Sequence, residues 1–369
     1  MIKNIKTFFK FIYKKIIISI FKLIYNTPVL KEKNKNDDSV EEIKIKIDNN
    51  NYFLYKLQRG SVYTDANDTT AYISKNNIIT NASMQFKKFD AINSFNDKLK
   101  NNITLKNGTP KIKKRIKGNV LSLLSGGASR DNFTHWFTDV IPRIAIYKKK
   151  NNLNNIQKFF VPSFKHKFQK DSLKILGITS NKIISSEKIK HITADNIYAT
   201  SHPCFYLPSK VKKWSLRYLN VNYKFKNKIK VYKKIFIDRD QFKLLDLKNL
   251  KKFKDYRVLI NENEIKTHLI SKGYKIIKPE NYSFKDQVTI FSNASHVIGL
   301  YGAAMMMLAF CKEKTNVIEI KPKNGGNEFR NISKLKNLNH KQINLEPLFK
   351  SSTPQNGILY CSIKKLKHK

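Results

Sequence analysis

Past residue 230 the chain settles into a regular alternation of short apolar runs and longer amphipathic stretches. Ile235-Phe236-Ile237, residues 274–277, His296-Val297-Ile298-Gly299 and Val317-Ile318-Glu319-Ile320 each read as a buried strand. The helix signals between them are explicit. Asn261, with Glu264 three positions on, predicts a capped start to a helix that Gly273 closes. Ser283 caps a second helix whose Phe284, Val288 and Phe291 share one face, and residues 302–310 predict a third. Strand and helix alternate with short connections, which predicts a doubly wound parallel sheet.

The first half is less regular. Ile43, Ile45 and Ile47 alternate with lysines, as in a half-buried strand. Residues 71–73, 120–124, 159–161, 183–184 and 197–199 are further strand fragments. A turn, Ser125-Gly126-Gly127-Ala128-Ser129, leads into a helix from about Thr134, and a helix over 167–176 is stopped by Gly177. Strand, helix, strand in this rhythm again predicts an α/β domain. The division is a basic helix over 1–30, an α/β domain over 31–213 that begins with a charged linker at 31–42, a second α/β domain over 214–345 that opens on a helix and connector at 214–230, and a tail over 346–369. In the first segment Lys3, Lys6, Lys10 and Lys14 fall on one helical face, with Ile5, Phe8, Phe9, Ile12, Ile16 and Leu23 opposite. Within its first 25 residues the longest charge-free run, 16–21, is far below the roughly 20 residues needed to cross a bilayer. The pattern predicts an amphipathic helix lying on an anionic membrane surface.

Composition narrows the function classes. The 369 residues carry a net charge of +45, which attracts polyanions, yet the lysines are spread along the whole chain rather than clustered with exposed aromatics. No helix-turn-helix, Cys/His finger or aromatic RNA-binding signature is present, so a nucleic-acid-binding protein is an alternative carried by charge alone. The 24 Phe and 17 Tyr are too many for a disordered chain. Cys204, Cys311 and Cys361 are too few and too scattered for a disulfide framework or a cysteine zinc site.

Ligands of a parallel α/β sheet bind beyond the carboxyl ends of its strands. Two segments occupy such positions. Gly299-Leu300-Tyr301-Gly302-Ala303-Ala304 passes from strand through a glycine turn into a helix, whose N-terminal amides suit a phosphate. Asp238-Arg239-Asp240 follows the 235–237 strand, and Arg257 precedes another apolar run, so two guanidinium groups are available to clamp a diphosphate. Asp238-x-Asp240 also fits a divalent-metal pair. In the first half, Asn132-Phe133-Thr134-His135-Trp136-Phe137-Thr138-Asp139-Val140-Ile141-Pro142-Arg143 puts His135, Asp139 and Arg143 four residues apart, on one helical stripe. A histidine beside a carboxylate is what a general base requires; an Asp139–Arg143 surface ion pair with a structural histidine is the plainer reading.

Together these segments resemble glycosyltransferase family 61. The 132–143 stretch is similar to the family's N-[YF]-x-H-W-x-x-[DE]-x-x-P-R block. Asp238-Arg239 through Arg257 to Asn261-Glu262-x-Glu264 is similar to its S-R … R-x-x-x-N-E-x-E block, and 284–320 to its closing block. The resemblance implies a GT-B-like architecture, two Rossmann-like domains facing across a cleft. It implies inverting transfer of a sugar from a nucleotide-sugar donor to a glycan acceptor, in surface or capsular polysaccharide synthesis, with no metal and no other cofactor. Arg239, Arg257, Asn261, Glu262, Tyr301, Gly302, Ala303 and Glu319 are then donor-side residues, with Glu319 at the end of its strand. His135 or Asp139 is the base, and Asn132 and Arg143 lie on the acceptor side. The expected partners are donor, acceptor and an anionic membrane surface, with no specific nucleic acid, and the expected location is cytoplasmic, on the inner face of the membrane. Where the family usually has G-x-H-G-A-x-L-T-N, this chain has Tyr301 for the histidine and Met306-Met307 for the Thr-Asn pair. That departure raises an alternative, a scaffold protein that keeps the fold without the catalysis.

Overall fold

The computed structural model describes residues 2–30, 38–86, 100–125, 128–205, 207–225 and 228–367, the side chains of 2–6 and 128 excepted. Parts of the expected linker (31–37), glycine turn (126–127) and connector (226–227) therefore lie outside the described residues, as do the basic and apolar side chains expected before Thr7. The chain divides into two compact units: Met1–Lys170 with Gly177–Tyr206, and Asp171–Leu176 with Leu207–Lys369.

The first unit opens with helix α1, Ile2–Tyr25. An antiparallel meander comes next: β1 (Val40–Ile47), β2 (Asn50–Gln58), β3 (Ser61–Thr64), β4 (Thr69–Ser74), β5 (Asn77–Ile78) and β6 (Met84–Gln85). Four more strands, β7 (Lys114–Ser122), β8 (Lys158–Val161), β9 (Ile183–Ser185) and β10 (His191–Thr200), run parallel in the spatial order β10-β7-β8-β9. β10 joins the two halves, pairing antiparallel with β2 and β3. The sequence pattern predicts little of the meander because β4 is buried along its whole length while carrying Thr69, Thr70 and Ser74. Buried hydroxyls break the apolar signal without breaking the strand. The strand expected at 43–47 extends back to Val40, into the stretch expected as linker.

The second unit is a five-stranded sheet, parallel throughout, built from β11 (Lys234–Ile237), β13 (Lys275–Ile277), β14 (His296–Leu300), β15 (Asn316–Pro322) and β16 (Asn339–Leu345). β12 (Arg257–Leu259) lies off this sheet and pairs with β17 (Gly357–Leu359), so the segment expected as a tail supplies a strand. The spatial order β13-β11-β14-β15-β16 means that the chain leaves β11 toward one edge and returns to its other side for β14. That reversal is a topological switch point, where doubly wound sheets open a crevice for ligands. Phe236, Ile298, Ile318 and Ile343 fill the core against Ile265 and Leu269 of the Glu262–Ser271 helix.

Local signals hold where they are strong. Gly273 takes φ 78, and Ser283 Oγ accepts the Asp286 amide at 3.1 Å. Two expectations differ. Asn261 stands at the helix start but caps no backbone amide; its side chain ties Glu264 and the Cys361 backbone instead. The 302–310 segment is a 3-10 helix, Ala303–Phe310, and Met305 through Phe310 are buried. The Met306-Met307 departure is thus a packing feature, both side chains being fully enclosed.

Candidate functional site

In the second unit the ends of β11 and β14 are neighbours, because Ile237 pairs with Gly299. Register therefore delivers Arg239, two residues past β11, to Tyr301 and Gly302, just past β14. Arg239 Nη1 donates to the Tyr301 carbonyl at 3.1 Å, and Arg257 Nη1, arriving from β12, donates to the same oxygen at 3.1 Å. The Arg257 guanidinium also lies 4.6 Å from the centre of the Tyr301 ring, and its Nη2 donates to Asn356 Oδ1 at 3.0 Å. The Tyr301 hydroxyl donates to Glu328 Oε2 at 2.9 Å, at the start of the Glu328–Leu335 helix. The bare backbone of Gly302 leaves room for the guanidinium: a Cβ there would stand 2.9 Å from Arg239 Nη1.

Positive charge predominates in this cluster, with Glu262 and Glu328 the carboxylates near enough to act on the arginines. Neither Arg239 nor Arg257 has a carboxylate within ion-pair distance among the described residues. Burial, with Arg257 beside it, pushes the Arg239 pKa down to about 10. Two desolvated guanidinium groups with no directly paired carboxylate, their cost offset only in part by Glu262 and Glu328 nearby, are favourable around a bound anion. Hydrogen bonds within the unit take one of Arg239's five N–H groups and three of Arg257's, so both keep donors.

Behind Arg239, Asp238 and Glu262 share the Lys266 ammonium; Lys266 Nζ is 2.8 Å from Asp238 Oδ2 and contacts Glu262 Oε1. Burial pushes the Glu262 carboxyl up to about 7. Burial works against the Asp238 charge too, but hydrogen bonds from Lys266 and the Asp240 amide hold that carboxyl below its ordinary value. Asp240 pairs with Lys243 and with Lys278. Both carboxylates of the Asp238-x-Asp240 pair are thus engaged by ammonium groups that compete with any cation. Among the described residues no group of three or more metal-ligating side chains occurs.

Glu319 differs from expectation. It lies in the middle of β15 rather than at its end and is fully buried. His340 Nε2 is 3.0 Å from its Oε2 and Gln342 Nε2 donates to the same oxygen at 2.8 Å, both from β16. Asn261 and Glu262 are likewise held within the protein, as a tie to the C-terminal strand and as part of the lysine-bridged cluster. Ala303 is half-buried beside Gly302.

In the first unit, Asn132 caps the turn that carries His135: its Oδ1 accepts the Thr134 amide at 2.8 Å and the His135 amide at 3.4 Å. His135 Nδ1 and Asp139 Oδ2 are 3.3 Å apart, so the expected pair forms. The stripe does not extend to Arg143. Residues Trp136–Val140 form a π-turn in which the Ile141 amide reaches back five residues to the Trp136 carbonyl. Pro142 has no N–H for the Thr138 carbonyl, and Cys204 Sγ stands 3.6 Å from that oxygen. The extra residue in the turn rotates the helix after it, and Arg143 points into the core. Its Nη1 donates to the Thr200 carbonyl at 3.0 Å and its Nη2 to His202 Nδ1 at 2.9 Å. Burial, then the Arg143 charge, pushes the His202 pKa down to about 3, so that ring stays neutral and accepts.

Sequence reasoning overlooks Lys266 and Glu328. Lys266 is legible as the i+4 partner of Glu262 on one helix face. Glu328 is not, since it meets Tyr301 only through the fold. No curated protein matches the chain. The family model "Glycosyltransferase 61" matches residues 133–318, half of the chain and the stretch that holds His135, Arg239, Arg257 and Tyr301. By that match the chain belongs to glycosyltransferase family 61, a family of enzymes that take a sugar from a donor to an acceptor.

Proposed function

We propose that this glycosyltransferase is an inverting, metal-independent enzyme that uses a nucleotide-sugar donor with a diphosphate leaving group. The observation that carries the reading is the pair of buried arginines, Arg239 and Arg257, meeting at the Tyr301 carbonyl beyond the switch point with no carboxylate in direct contact. As the glycosidic bond to the donor breaks, negative charge builds on the diphosphate, and fixed guanidinium donors stabilise that charge without a cation. The lysine pairing of Asp238 and Asp240 supports the same conclusion.

The geometry favours His135 over Asp139 as the base. Asp139 is fully enclosed, with Oδ2 against His135 Nδ1 and Oδ1 at 3.1 Å from Cys204 Sγ. A carboxylate accepts, so Nδ1 donates and Nε2 becomes the basic nitrogen of the ring. His135 then takes the proton of the acceptor hydroxyl as its oxygen attacks the anomeric carbon, and Asp139 orients the ring and holds its charge. The acceptor is a surface or capsular glycan in this reading. Helix α1 supports attachment to an anionic membrane: Phe8, Phe9, Ile16 and Leu23 are exposed, and no described helix is long and apolar enough to cross a bilayer.

The test is a thermal-shift panel of nucleoside diphosphates and their sugars, with and without chelator. A bound nucleotide raises the melting temperature, and the rise persists in chelator. Absence of any shift rejects the donor reading; a shift only with divalent cation rejects metal independence. The scaffold reading has one observation in its favour, the Tyr301 ring already committed to Arg257 and Glu328. It predicts no transfer by the native chain and transfer by Tyr301→His.

A further inference from the structure

The first unit holds a cavity of about 330 Å³ that sugar transfer leaves unused. Tyr25, Asn26 and Pro28, at the root of α1, form one wall, and β3, β4 and β10 contribute the others. The root is fixed in place by a short backbone ladder: the Val29 amide donates to the Asn76 carbonyl at 2.9 Å, and the Ile78 amide to the Val29 carbonyl at 3.0 Å.

Three cations, Arg59, Lys75 and Lys113, line this space, and no carboxylate does. Lys113 is half-buried, with Nζ 4.5 Å from the centre of the Tyr25 ring. Among the described residues neither Lys113 nor Arg59 has a carboxylate within ion-pair distance. A second observation is independent of the charge. His191 is 1% exposed, its ring edge-on to both Tyr25 and Tyr63. Its Nδ1 is 3.2 Å from the Lys111 carbonyl, which only accepts, so Nδ1 carries the proton. Nε2 is then a bare acceptor, and it has no hydrogen-bond partner. Buried polar atoms left unsatisfied in a native protein call for an explanation, and a ligand that donates to this lining is one.

We propose that this cavity binds a phosphoester carrying a free hydroxyl, the chemistry of a glycerophosphate headgroup. The cations take the phosphate, and the hydroxyl meets the His191 side. The lipid source rests on the reading of α1 as a membrane-surface helix; the cavity itself does not. Leu23 and Ile24, 85% and 61% exposed, immediately precede the wall residue Tyr25, so a lipid covering them presents its headgroup to the same place.

The test uses the full chain with sn-glycerol 3-phosphate in a calorimeter, and with phosphatidylcholine vesicles containing phosphatidylglycerol or, at equal charge, phosphatidylserine. The native chain binds the soluble ester and prefers the phosphatidylglycerol vesicles. Lys113→Gln, with an unchanged melting temperature, weakens the soluble ester by about 10-fold and abolishes the preference. Leu23→Asp weakens both vesicles and leaves the soluble ester alone. Vesicle binding that Lys113→Gln does not alter, with no uptake of the ester, overturns the cavity site and leaves the membrane reading standing. Ester binding that depends on Lys113 without any vesicle binding refutes the membrane reading and makes the free phosphoester the ligand.

Discussion

Replacing Arg239 with Gln separates the charge from the fold. The side chain donates one hydrogen bond within the unit, to the Tyr301 carbonyl, and that oxygen keeps its second donor, Arg257 Nη1 at 3.1 Å. The structural loss is therefore about 0.5–1.5 kcal/mol, partly offset by removing a like charge next to Arg257. The melting temperature of the variant should move by only a few degrees. Binding is another matter. A hydrogen bond between a guanidinium and a diphosphate contributes about 1.5–3 kcal/mol, which converts to about 10- to 150-fold in affinity. The assay is calorimetric titration of a nucleoside diphosphate in chelator, native chain against variant. Arg239→Lys should recover only part of the loss, since it restores charge but not the planar fork. A folded Arg239→Gln variant that binds nucleotide within twofold of the native chain refutes the assignment of the leaving-group site.

Gly302→Ala puts a methyl group 2.9 Å from Arg239 Nη1, the far end of a mobile side chain, so the protein should fold normally while nucleotide affinity drops; a thermal melt and the same titration check both halves. Gly299→Ala is the control, because its methyl meets Met305 Sδ at 2.8 Å in the core and should cost about 1–3 kcal/mol of stability by denaturant titration. Glu262, raised to about 7 from an ordinary 4.5, binds its proton more tightly folded than unfolded; its stabilisation is complete below 4.5 and is lost as pH rises through about 7. Glu262→Gln should accordingly flatten the fall in stability across that window, and a denaturant series by pH that keeps the same slope would falsify the burial of this carboxyl. His135→Ala should lower kcat by about 10²- to 10⁴-fold with little change in donor affinity, and a variant of unchanged kcat removes His135 as the base.

Much of the second unit is legible before folding. Apolar runs of three or four residues separated by capped amphipathic segments leave little freedom, and Ser283 and Gly273 mark helix ends by local chemistry that no distant contact alters. Arg239 and Arg257 are legible by position, one directly after an apolar strand run and the other directly before one. The His135–Asp139 pair is legible for the same reason: it spans one turn of backbone.

What sequence does not contain is the outcome of strand order and register. Arg239 and Arg257 meet on one carbonyl from 62 and 44 residues away, a consequence of β11 lying beside β14 and of β12 leaving the sheet. Arg143 has the spacing of a helical stripe, yet a π-turn beside Pro142 and partners 57 and 59 residues downstream draw it into the core. Glu319 ends up sealed in mid-strand because β16 sets His340 and Gln342 against it. Periodicity reports which face of a segment is buried; which charges that face meets is decided only when distant segments are brought side by side.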